Sequence, residues 1–479
     1  MSEPDIRAVL LLPPSEGNIA RNIGVSEAMN VLLINPPSIS VYYTFGISLP
    51  PMGLLYVAAS LEQAGHRVVV HDLDAEGVEV TDADFMSADA VGISSDTTRI
   101  ERAMRLARRA ARFDRPVIMG GPHPQFMPEE ILASGWVTAI VRGEGEVVFP
   151  ALLDALTSRN EPATVRGIIC REGRRIVRTP DADPVDVEAL PLPARHLIDL
   201  HRYRASTAGR PVTPVVTSRG CPGACHFCSS SSFFGRGWRY RSADAVLSEL
   251  DEVYDRYGFR AVAFIDDNFT LAPGRAEQIA DGILERGHDL KWWTFSRVDT
   301  IVRNPGMVAS LAAAGCIMVY MGIESGSDDT LNSLGKETKS ADQFQAVDIL
   351  RRNGIESYGS YIIGNLDECA ADVEKTIDLS IRLDTNIAQF TILTPYPGTR
   401  LYEQVRDRIF CRRWKFYDAL HVVFRHPRIN RFHLQLLLIK AFVRFYRRSR
   451  EAVAGFKMAT EKSKLSFRKL AVCAWEMLF

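Results

Sequence analysis

Three cysteines near the middle of the chain have a spacing that suits metal chemistry. They are Cys221, Cys225 and Cys228, in the sequence CPGACHFC. Three neighbouring thiolates can bind three irons of a 4Fe-4S cube, which leaves the fourth iron open to chelate the amino and carboxylate groups of a cosubstrate. A zinc site is the alternative, and it normally has a fourth Cys or His ligand. His226 is available, but it lies inside the triplet, so the spacing favours a cluster.

The length and composition indicate a globular protein with more than one core. The chain has 479 residues, of which 46% are hydrophobic, and this predicts two large units plus an appendage. Its eight cysteines are too sparse and irregular for a disulfide framework. The sequence opens without a charged-then-apolar leader, and no stretch reaches the roughly 18 apolar residues of a membrane helix. We therefore expect a cytoplasmic location.

Short apolar or β-branched runs alternate with helix-like stretches, such as 54–64 and 99–111, through the first third of the chain. This alternation predicts a doubly wound parallel sheet of the Rossmann type. Its ligand site would lie at the carboxyl ends of the strands. The strand candidates are 31–35, 67–72, 90–94, 116–120 and 139–142.

A second alternating series follows a Pro- and Asp-rich segment, 179–193, which reads as a linker. Six strand candidates are each spaced for an intervening helix, so the series predicts a partial (β/α)6 barrel of the TIM type. The cysteine triplet falls on the loop after the first of these strands. The candidates are 215–218, 261–265, 291–297, 317–322, 358–363 and 388–393.

The triplet, with an aromatic residue before its last cysteine, resembles the signature of the radical S-adenosylmethionine (SAM) superfamily. Four further motifs resemble that family in order: FIDDNFT at 264–270, SRVD at 296–299, GIESGS at 322–327 and PYPGT at 395–399. Taken singly, each is also compatible with a solvated strand end or an ordinary turn.

The resemblance implies a 4Fe-4S cluster on Cys221, Cys225 and Cys228 that cleaves SAM reductively to a 5'-deoxyadenosyl radical. One departure is the family's G-x-P-x-E-T, which reads Gly364-Asn-Leu-Asp-Glu-Cys369 here and lacks the proline. The SAM-binding residues that the resemblance implies are Phe227, Arg297, Gly322, Glu324, Ser325 and Ile363.

Three motifs in the first unit, LPPMGL at 49–54, GGPHP at 120–124 and GEGE at 143–146, resemble the cobalamin-binding domain that precedes many radical SAM barrels. Glycines let the backbone approach a large planar corrin closely. The cobalamin-binding residues that the resemblance implies are Asp72, Asp74, Gly77, Ser94, Ser95, Thr97, Gly120, Gly121, His123, Gly143, Glu144 and Gly145.

Cobalamin domains that coordinate cobalt carry D-x-H-x-x-G after the second strand. The corresponding run here is Asp72-Leu-Asp74-Ala-Glu-Gly77, in which Asp74 stands in the place of the histidine ligand. The resemblance thus implies cobalamin bound without an imidazole, with His71 and His123 structural or lining the pocket. A degenerate domain that binds nothing is the alternative.

The C-terminal part is basic. Residues 412–479 contain 16 Lys and Arg against 4 Asp and Glu, whereas the preceding residues contain 41 against 54. An apolar helix predicted at 432–446, followed by RRSR, suits an anionic membrane surface or, as is more common, a core helix that closes the barrel. Basic charge alone does not indicate nucleic-acid binding. Side chains before the helix that could reach a substrate, or simply pack, are Trp414, Tyr417, His421 and His426.

These patterns divide the chain into five segments. They are an uncertain N-terminal extension at 1–28, a cobalamin-binding domain at 29–160, a linker at 161–206, a radical SAM core at 207–405 and a basic helical region at 406–479. Residues 8–15, AVLLLPPS, nearly repeat 30–38, NVLLINPPS, without the helix that should follow. The first domain is therefore expected to begin near Met29.

The resemblance covers about residues 29–400 and implies the cobalamin-binding radical SAM family, which includes class B methyltransferases and the anaerobic cyclase of magnesium-protoporphyrin monomethyl ester. We predict methylation of an unactivated carbon in a small-molecule or lipid-like substrate, with electrons from a flavodoxin- or ferredoxin-type protein. Cyclisation, hydroxylation or rearrangement with the same cofactors is one alternative. A non-catalytic cobalamin- or metal-binding module is another.

Overall fold

Two seven-stranded sheets organise the chain in this computed structural model, which describes residues 28–38, 48–336 and 338–448. The first sheet has the order β2-β1-β3-β4-β5-β6-β7. Neighbouring strands from β2 to β5 pair in parallel, and this confirms the predicted doubly wound sheet. Its strands are β1 (Asn30–Asn35), β2 (Arg67–Asp72), β3 (Ala90–Ser94), β4 (Val117–Gly120), β5 (Ala139–Val141), β6 (Ile168–Glu172) and β7 (Arg175–Arg178).

Helices cover both faces of the first sheet, so its central strands are buried on both sides and read as continuous apolar runs. Local signals set some helix starts. Thr81, for example, caps a helix by accepting a bond from the Asp84 N–H, while the Asp84 carboxylate accepts one from the Thr81 N–H. The helices are α1 (Met52–Gln63), α2 (Asp82–Ser87), α3 (Ile100–Ala110), α4 (Pro122–Phe126), α5 (Pro128–Leu132) and α6 (Gly145–Thr157).

The edge strands β6 and β7 were not predicted. They form an antiparallel hairpin that pairs with β5, and they lie inside the predicted linker at 161–206. The hairpin is rich in arginine and partly exposed, so it carries no long apolar run for a sequence reading to detect. Residues 179–193 form neither helix nor strand.

The second sheet has the order β16-β15-β14-β13-β12-β9-β8, and all neighbouring strands in it except β9 and β8 pair in parallel. This curled half-barrel confirms the predicted partial barrel. Its strands are β8 (Ser206–Thr207), β9 (Arg210–Val215), β12 (Ala261–Phe264), β13 (Lys291–Ser296), β14 (Cys316–Glu324), β15 (Glu356–Ile363) and β16 (Ile387–Ile392). A small antiparallel ladder joins β10 (Ser218–Arg219) to β11 (Arg239–Tyr240).

The first barrel strand lies earlier than predicted. The prediction of 215–218 was wrong, because β9 ends at Val215 and Ser218 belongs to the β10 ladder. Pro211 and Pro214 interrupt β9, and prolines argue against a central strand when only the sequence is read. The strand nevertheless pairs with β12 along four residues.

Helices pack on the outer face of the half-barrel. The last one, α16, contributes Leu434, Leu438 and Phe445 to the barrel's hydrophobic core, which corresponds to the core-helix alternative. Among the described residues, no helix combines the length and hydropathy needed to span a bilayer. The helices are α7 (Ser229–Phe234), α8 (Ala243–Asp251), α9 (Pro273–Glu285), α10 (Val298–Arg303), α11 (Pro305–Ala313), α12 (Asp328–Ser333), α13 (Ser340–Arg352), α14 (Ala370–Leu383), α15 (Arg400–Val405) and α16 (Arg431–Tyr446).

Two of the predicted segments lie wholly or partly outside the described residues. The extension at 1–28, with its near-repeat at 8–15, lies outside them except for residue 28, and so does the basic region beyond residue 448.

A buried ion triad ties the segment before the barrel to the barrel itself. Glu249 on α8 accepts bonds from Arg195, at 2.5 Å, and from Arg241, and all three side chains are buried. Arg195 also donates to the Pro214 carbonyl on β9. Burial alone would raise the pKa of Glu249, but the two guanidinium groups outweigh it and lower that pKa.

We predict that Glu249→Gln lowers the free energy of unfolding by about 3–5 kcal/mol, because it leaves two buried cations without a counter-charge. Since the folded-state pKa of Glu249 lies below its ordinary value, the stabilisation is complete above that value and is lost as the pH falls through the folded-state pKa. Urea unfolding followed by circular dichroism at neutral and acidic pH measures both effects.

The matched control is Asp348→Asn, which removes an exposed pair with Arg352 and should leave stability nearly unchanged. Equal losses in the two variants would contradict the special role of the triad.

Candidate functional site

A cavity of about 380 Å³ lies between the carboxyl ends of the two sheets. Leu33, Met52, Tyr56 and Phe149 form an apolar part of its lining on the side of the first sheet. Six predicted cobalamin-binding residues also line it: Ser94, Gly120, Gly121, Gly143, Glu144 and Gly145. The second sheet and its loops contribute Ile265 and Asp267 of the FIDDNFT motif, together with residues that the sequence did not indicate, namely Val216, Ser218, Arg219, Phe233 and Phe234.

Gly121 shows why glycine occurs at this edge. Its φ is 100°, and a Cβ added there would lie 2.5 Å from the Ser95 carbonyl oxygen. The strand-end loops after β3 and β4 are therefore in direct backbone contact, which a larger residue would prevent.

Asp74, which stands in the place of a histidine ligand, is engaged in protein contacts. Its carboxylate accepts a 2.6 Å bond from the Ser38 N–H and a 2.7 Å ion pair from Arg99. Arg99 also donates to Asn35. Burial raises the pKa of Asp74 even though Arg99 opposes it. Asp74 therefore joins three strand-end loops and does not line the cavity.

The remaining predicted cobalamin residues also lie outside the cavity lining. Asp72 accepts bonds from Asn35 at 2.7 Å and from Tyr203 at 2.6 Å. Gly77 follows in the same loop with a φ of 73°. Ser95 contacts Gly121 as described above. These residues shape the loops around the cavity.

His71 and His123 both contact protein groups. His71 Nε2 lies 3.4 Å from the Asp84 carboxylate. His123 is buried, with Nδ1 3.3 Å from Thr97 Oγ1 and its ring edge-on to Trp414 at 4.7 Å. Burial lowers the pKa of His123 to about 3, so this imidazole is neutral.

An ion-pair network joins the GEGE motif to the cysteine loop. Arg219, two residues before Cys221, donates to Glu144 at 2.7 Å and to Glu146 at 2.6 Å. Arg239 donates to the second oxygen of Glu144 at 2.7 Å. The side chains of Arg219, Glu144 and Glu146 are 8%, 9% and 3% exposed. The Glu144 carboxylate, predicted to bind cobalamin, is thus occupied by two arginines.

The three cysteines lie together on a partly exposed loop. A Cβ added at Gly223 would lie 3.3 Å from Cys221 Sγ and 4.0 Å from Cys225 Sγ. Burial raises the pKa of the Cys225 and Cys228 thiols, and Lys336 and Arg297 oppose that shift at Cys225. In the described part of the chain, no three His, Cys, Asp or Glu side chains converge on a point for one metal ion. In a 4Fe-4S cube each cysteine binds a different iron.

A charged pair faces the cysteine loop across the barrel mouth. Lys336 Nζ lies 2.6 Å from Glu324 Oε1 and donates to the Gly322 carbonyl at 3.1 Å. A Cβ at Gly322 would lie 2.4 Å from that Glu324 oxygen, so glycine makes room for the pair. Arg297, held by Asp299 at 2.8 Å, completes the polar rim. Lys336 was not predicted, because it lies on a loop beyond the GIES motif.

The structure places the other predicted SAM residues apart from this rim. Phe227 lines a second cavity, of about 200 Å³, together with His226 and Asn365. Ser325 is buried and lies 3.2 Å from Thr376 on α14, and Ile363 is fully buried in the core beneath the helices.

The turn that lacks the family's proline is held by Glu368. Its carboxylate accepts bonds from the N–H groups of Gly364, at 3.0 Å, and Asn365, at 2.9 Å. Burial raises the pKa of Glu368 to about 7. Glu368 is the glutamate that this sequence shares with the family's motif, and it fixes the backbone on the N-terminal side of Leu366, which stands in the place of the proline.

The four side chains before the last helix make protein contacts. Trp414 Nε1 donates to Glu130, and the Tyr417 hydroxyl donates to the Cys411 carbonyl. His421 Nδ1 lies 2.9 Å from Asp418, and His426 Nε2 lies 2.7 Å from the Asn365 carbonyl.

Comparisons with known proteins agree on both halves of the chain. The family model of the B12 binding domain matches residues 41–153, and that of the Radical SAM superfamily matches residues 215–380. An uncharacterized methyltransferase of Pyrococcus horikoshii is 35% identical over 433 residues, which are 88% of this chain and 93% of that protein.

Two further proteins are more distant. The anaerobic magnesium-protoporphyrin IX monomethyl ester cyclase of Cereibacter sphaeroides is 25% identical, over 87% of this chain and 70% of that protein. The solved structure of the radical S-adenosylmethionine methyltransferase TsrM from Kitasatospora setae, with cobalamin and a [4Fe-4S] cluster bound, has the same fold. Its TM-score is 0.67 at 21% identity, covering 79% of this chain and 78% of that chain.

We predict that Arg219→Ala lowers the free energy of unfolding by roughly 3–5 kcal/mol, because Glu144 and Glu146 would lose a buried counter-charge. Arg219→Lys should give an intermediate loss, since one ammonium cannot replace the planar fork of guanidinium donors. Arg236→Ala, an exposed change in the same region, is the control. Thermal unfolding of the three variants gives the comparison, and an Arg219→Ala midpoint equal to that of the control would refute the coupling.

Proposed function

The chain belongs to the cobalamin-binding radical SAM family, and we propose that it methylates an unactivated carbon of a small-molecule or lipid-like substrate in a biosynthetic pathway. The observation that carries this proposal is the junction at Arg219, which places the cysteine loop beside the strand-end cavity. A reaction that uses a cluster, SAM and cobalamin together needs their sites to be neighbours.

We assign the 4Fe-4S cluster to Cys221, Cys225 and Cys228, which share one loop at the barrel mouth. Glu324, Lys336 and Arg297 provide one carboxylate and two cations near Cys225, and these suit the amino and carboxylate groups of SAM. When bound, the cluster supplies the electron that cleaves SAM, and cobalamin supplies the centre that carries the methyl group.

We propose that cobalamin binds at the cavity between the sheets, because the lining combines apolar side chains with glycine backbone, which suits contact with part of the corrin. We propose that Ser94, Gly120, Gly121, Gly143 and Gly145 contact it directly. Asp72, Asp74, Gly77, Ser95, Thr97 and His123 would act indirectly by fixing the loops, and Glu144 by its ion pairs. With Asp74 paired to Arg99, the protein offers no imidazole from that position.

The proposal also covers the electron donor, the cellular location and contact with a membrane. A flavodoxin- or ferredoxin-type protein would supply electrons, and a cytoplasmic location would keep the cluster in a reducing compartment. Peripheral membrane contact through the C-terminal region stays a prediction, for which the exposed Phe432, Leu436 and Val443 on α16 are the candidate residues.

Cysteine substitution tests the cluster assignment. We predict that Cys225→Ala loses bound iron, sulfide and the visible absorption of the cluster, and forms no 5'-deoxyadenosine, while cobalamin still binds. Cys411→Ala changes a cysteine outside the loop and should retain the cluster. Iron and zinc analysis of the purified proteins decides the question, because stoichiometric zinc in the native enzyme would support the zinc alternative.

Turnover with methyl-labelled SAM tests the reaction. Under strict anaerobiosis with dithionite, methylation forms S-adenosylhomocysteine and 5'-deoxyadenosine together and labels the product. The similarity to the cyclase of Cereibacter sphaeroides makes cyclisation the second candidate, in which 5'-deoxyadenosine forms without label in the product. An unlabelled product would remove the methyltransferase assignment. A lack of 5'-deoxyadenosine from the cluster-loaded protein would favour the non-catalytic module.

A further inference from the structure

A row of aromatic side chains crosses the inner face of the half-barrel. Trp293 and Phe295 on β13 lie 5.6 Å apart between ring centroids, Phe295 and Tyr320 on β14 lie 4.8 Å apart, and Tyr320 and Tyr358 on β15 lie 4.5 Å apart. All four side chains are partly exposed. We call these four residues the lumen wall.

Strand alternation shows which face the lumen wall occupies. Trp292, Val319 and Tyr361 belong to the core beneath the outer helices, so the residues that alternate with them face the lumen. Trp293 also contacts the small side chains Ala261 and Ala263 of β12, on the same inner face. The same cluster includes Leu49, Val212 and Ile265, so the lumen has an aromatic side and an aliphatic side.

The lumen wall lies just below the polar rim. Phe295 pairs with Tyr320 in register, and Arg297 and Gly322 follow two residues later toward the carboxyl ends. Two residues of strand span about 7 Å. A molecule resting on the wall would therefore present a carbon toward the place where the radical is formed.

The side-chain amide of Gln389 is a polar group beside the aromatic rings. The Tyr358 hydroxyl lies 3.0 Å from Gln389 Oε1 on β16, and the Tyr320 hydroxyl lies 3.5 Å from the same atom. With both phenols on the oxygen, the amide nitrogen of Gln389 is left as a donor, and no described residue accepts a bond from it.

We propose that the lumen wall binds the substrate and that the substrate is an uncharged, apolar molecule of at least two fused rings, with a hydrogen-bond acceptor directed at Gln389. This inference rests on the proposed function, since it locates the carbon to be modified. Three successive ring contacts across three strands form a surface longer than one ring. Fused rings match it by dispersion and edge contacts, whereas a charged group would lose hydration against uncharged side chains.

Binding of 1-pyrenemethanol to the holoenzyme, without reductant, tests the wall. Its fluorescence should show saturable binding that Tyr358→Leu weakens about two- to thirteen-fold, as expected for the loss of an aromatic contact worth roughly 0.5–1.5 kcal/mol. Tyr358→Phe is the matched control, because it keeps the ring and should change the affinity less than Tyr358→Leu does. Retained cluster absorption and an unchanged melting temperature show that each variant is folded.

Unsubstituted pyrene, which lacks the hydroxyl, tests the hydrogen bond to Gln389. The native enzyme should bind 1-pyrenemethanol more tightly than pyrene, by about five-fold for one neutral hydrogen bond, and Gln389→Leu should abolish that difference. Equal affinities of native, Tyr358→Leu and Tyr358→Phe proteins would overturn the inference, and so would a failure of the native enzyme to bind either probe.

A failure of the inferred substrate class can be distinguished from a failure of the proposed function. Formation of 5'-deoxyadenosine by the native enzyme in a separate assay with dithionite and SAM reports the proposed function alone. If it forms while the pyrene results are negative, the substrate class is wrong and the radical SAM function stands. If it does not form, the proposed function fails whatever binds in the lumen.

Discussion

The buried contact between Arg219 and the two carboxylates of Glu144 and Glu146 is the interaction on which the site depends. Each half of the protein is built on its own sheet, and an apolar cluster that includes Leu334, Ile362 and Leu393 of the second half also packs on the first sheet. Neither sheet alone encloses the cavity at their carboxyl ends. Arg219 ends β10 just before the loop that carries the cysteines, and its partners Glu144 and Glu146 lie at the start of α6, beside the cavity. Because both carboxylates are buried, separating the halves would expose these charges or leave them unpaired, so the pairing holds the start of the cysteine loop beside the cavity.

The cysteine loop is fixed from its other side by the acidic end of β12. Asp266 is fully buried and accepts bonds from the Thr217 N–H, at 2.6 Å, from the Thr217 hydroxyl and from the Ser218 hydroxyl, at 2.8 Å. Burial raises the pKa of Asp266, and the three donors oppose the shift. Thr217 and Ser218 come just before Arg219, so one short segment is bound both to the barrel and to the first sheet. This anchoring fixes the point at which the cysteine loop begins, while the side chains of the loop are partly exposed.

Much of the fold could be predicted from the sequence, because buried parallel strands produce short apolar runs at regular spacing. Ten of the parallel strands were located to within two residues, and the exceptions have physical causes. Pro211 and Pro214 argue against a central strand in the first barrel strand, and the arginine-rich hairpin of β6 and β7 has no long apolar run. Contacts such as Arg219 with Glu144 join residues 75 positions apart, which no local pattern reveals. The motifs thus indicated candidate residues, whereas only the structure showed that Glu144 and Asp74 are paired with arginines.

Asp74, which stands in the place of a histidine ligand, belongs to a network of ion pairs and hydrogen bonds. A carboxylate in the place of an imidazole is bound by Arg99, and Arg99 in turn contacts Asn35 and the Pro36 carbonyl at the end of β1. A histidine at position 74 would remove one of the two carboxylates paired with Arg99, the other being Asp96, and would also remove the acceptor of the Ser38 N–H. Asp74 thus gives the loop an ion pair that holds its shape, and this position has no side-chain nitrogen to offer a metal.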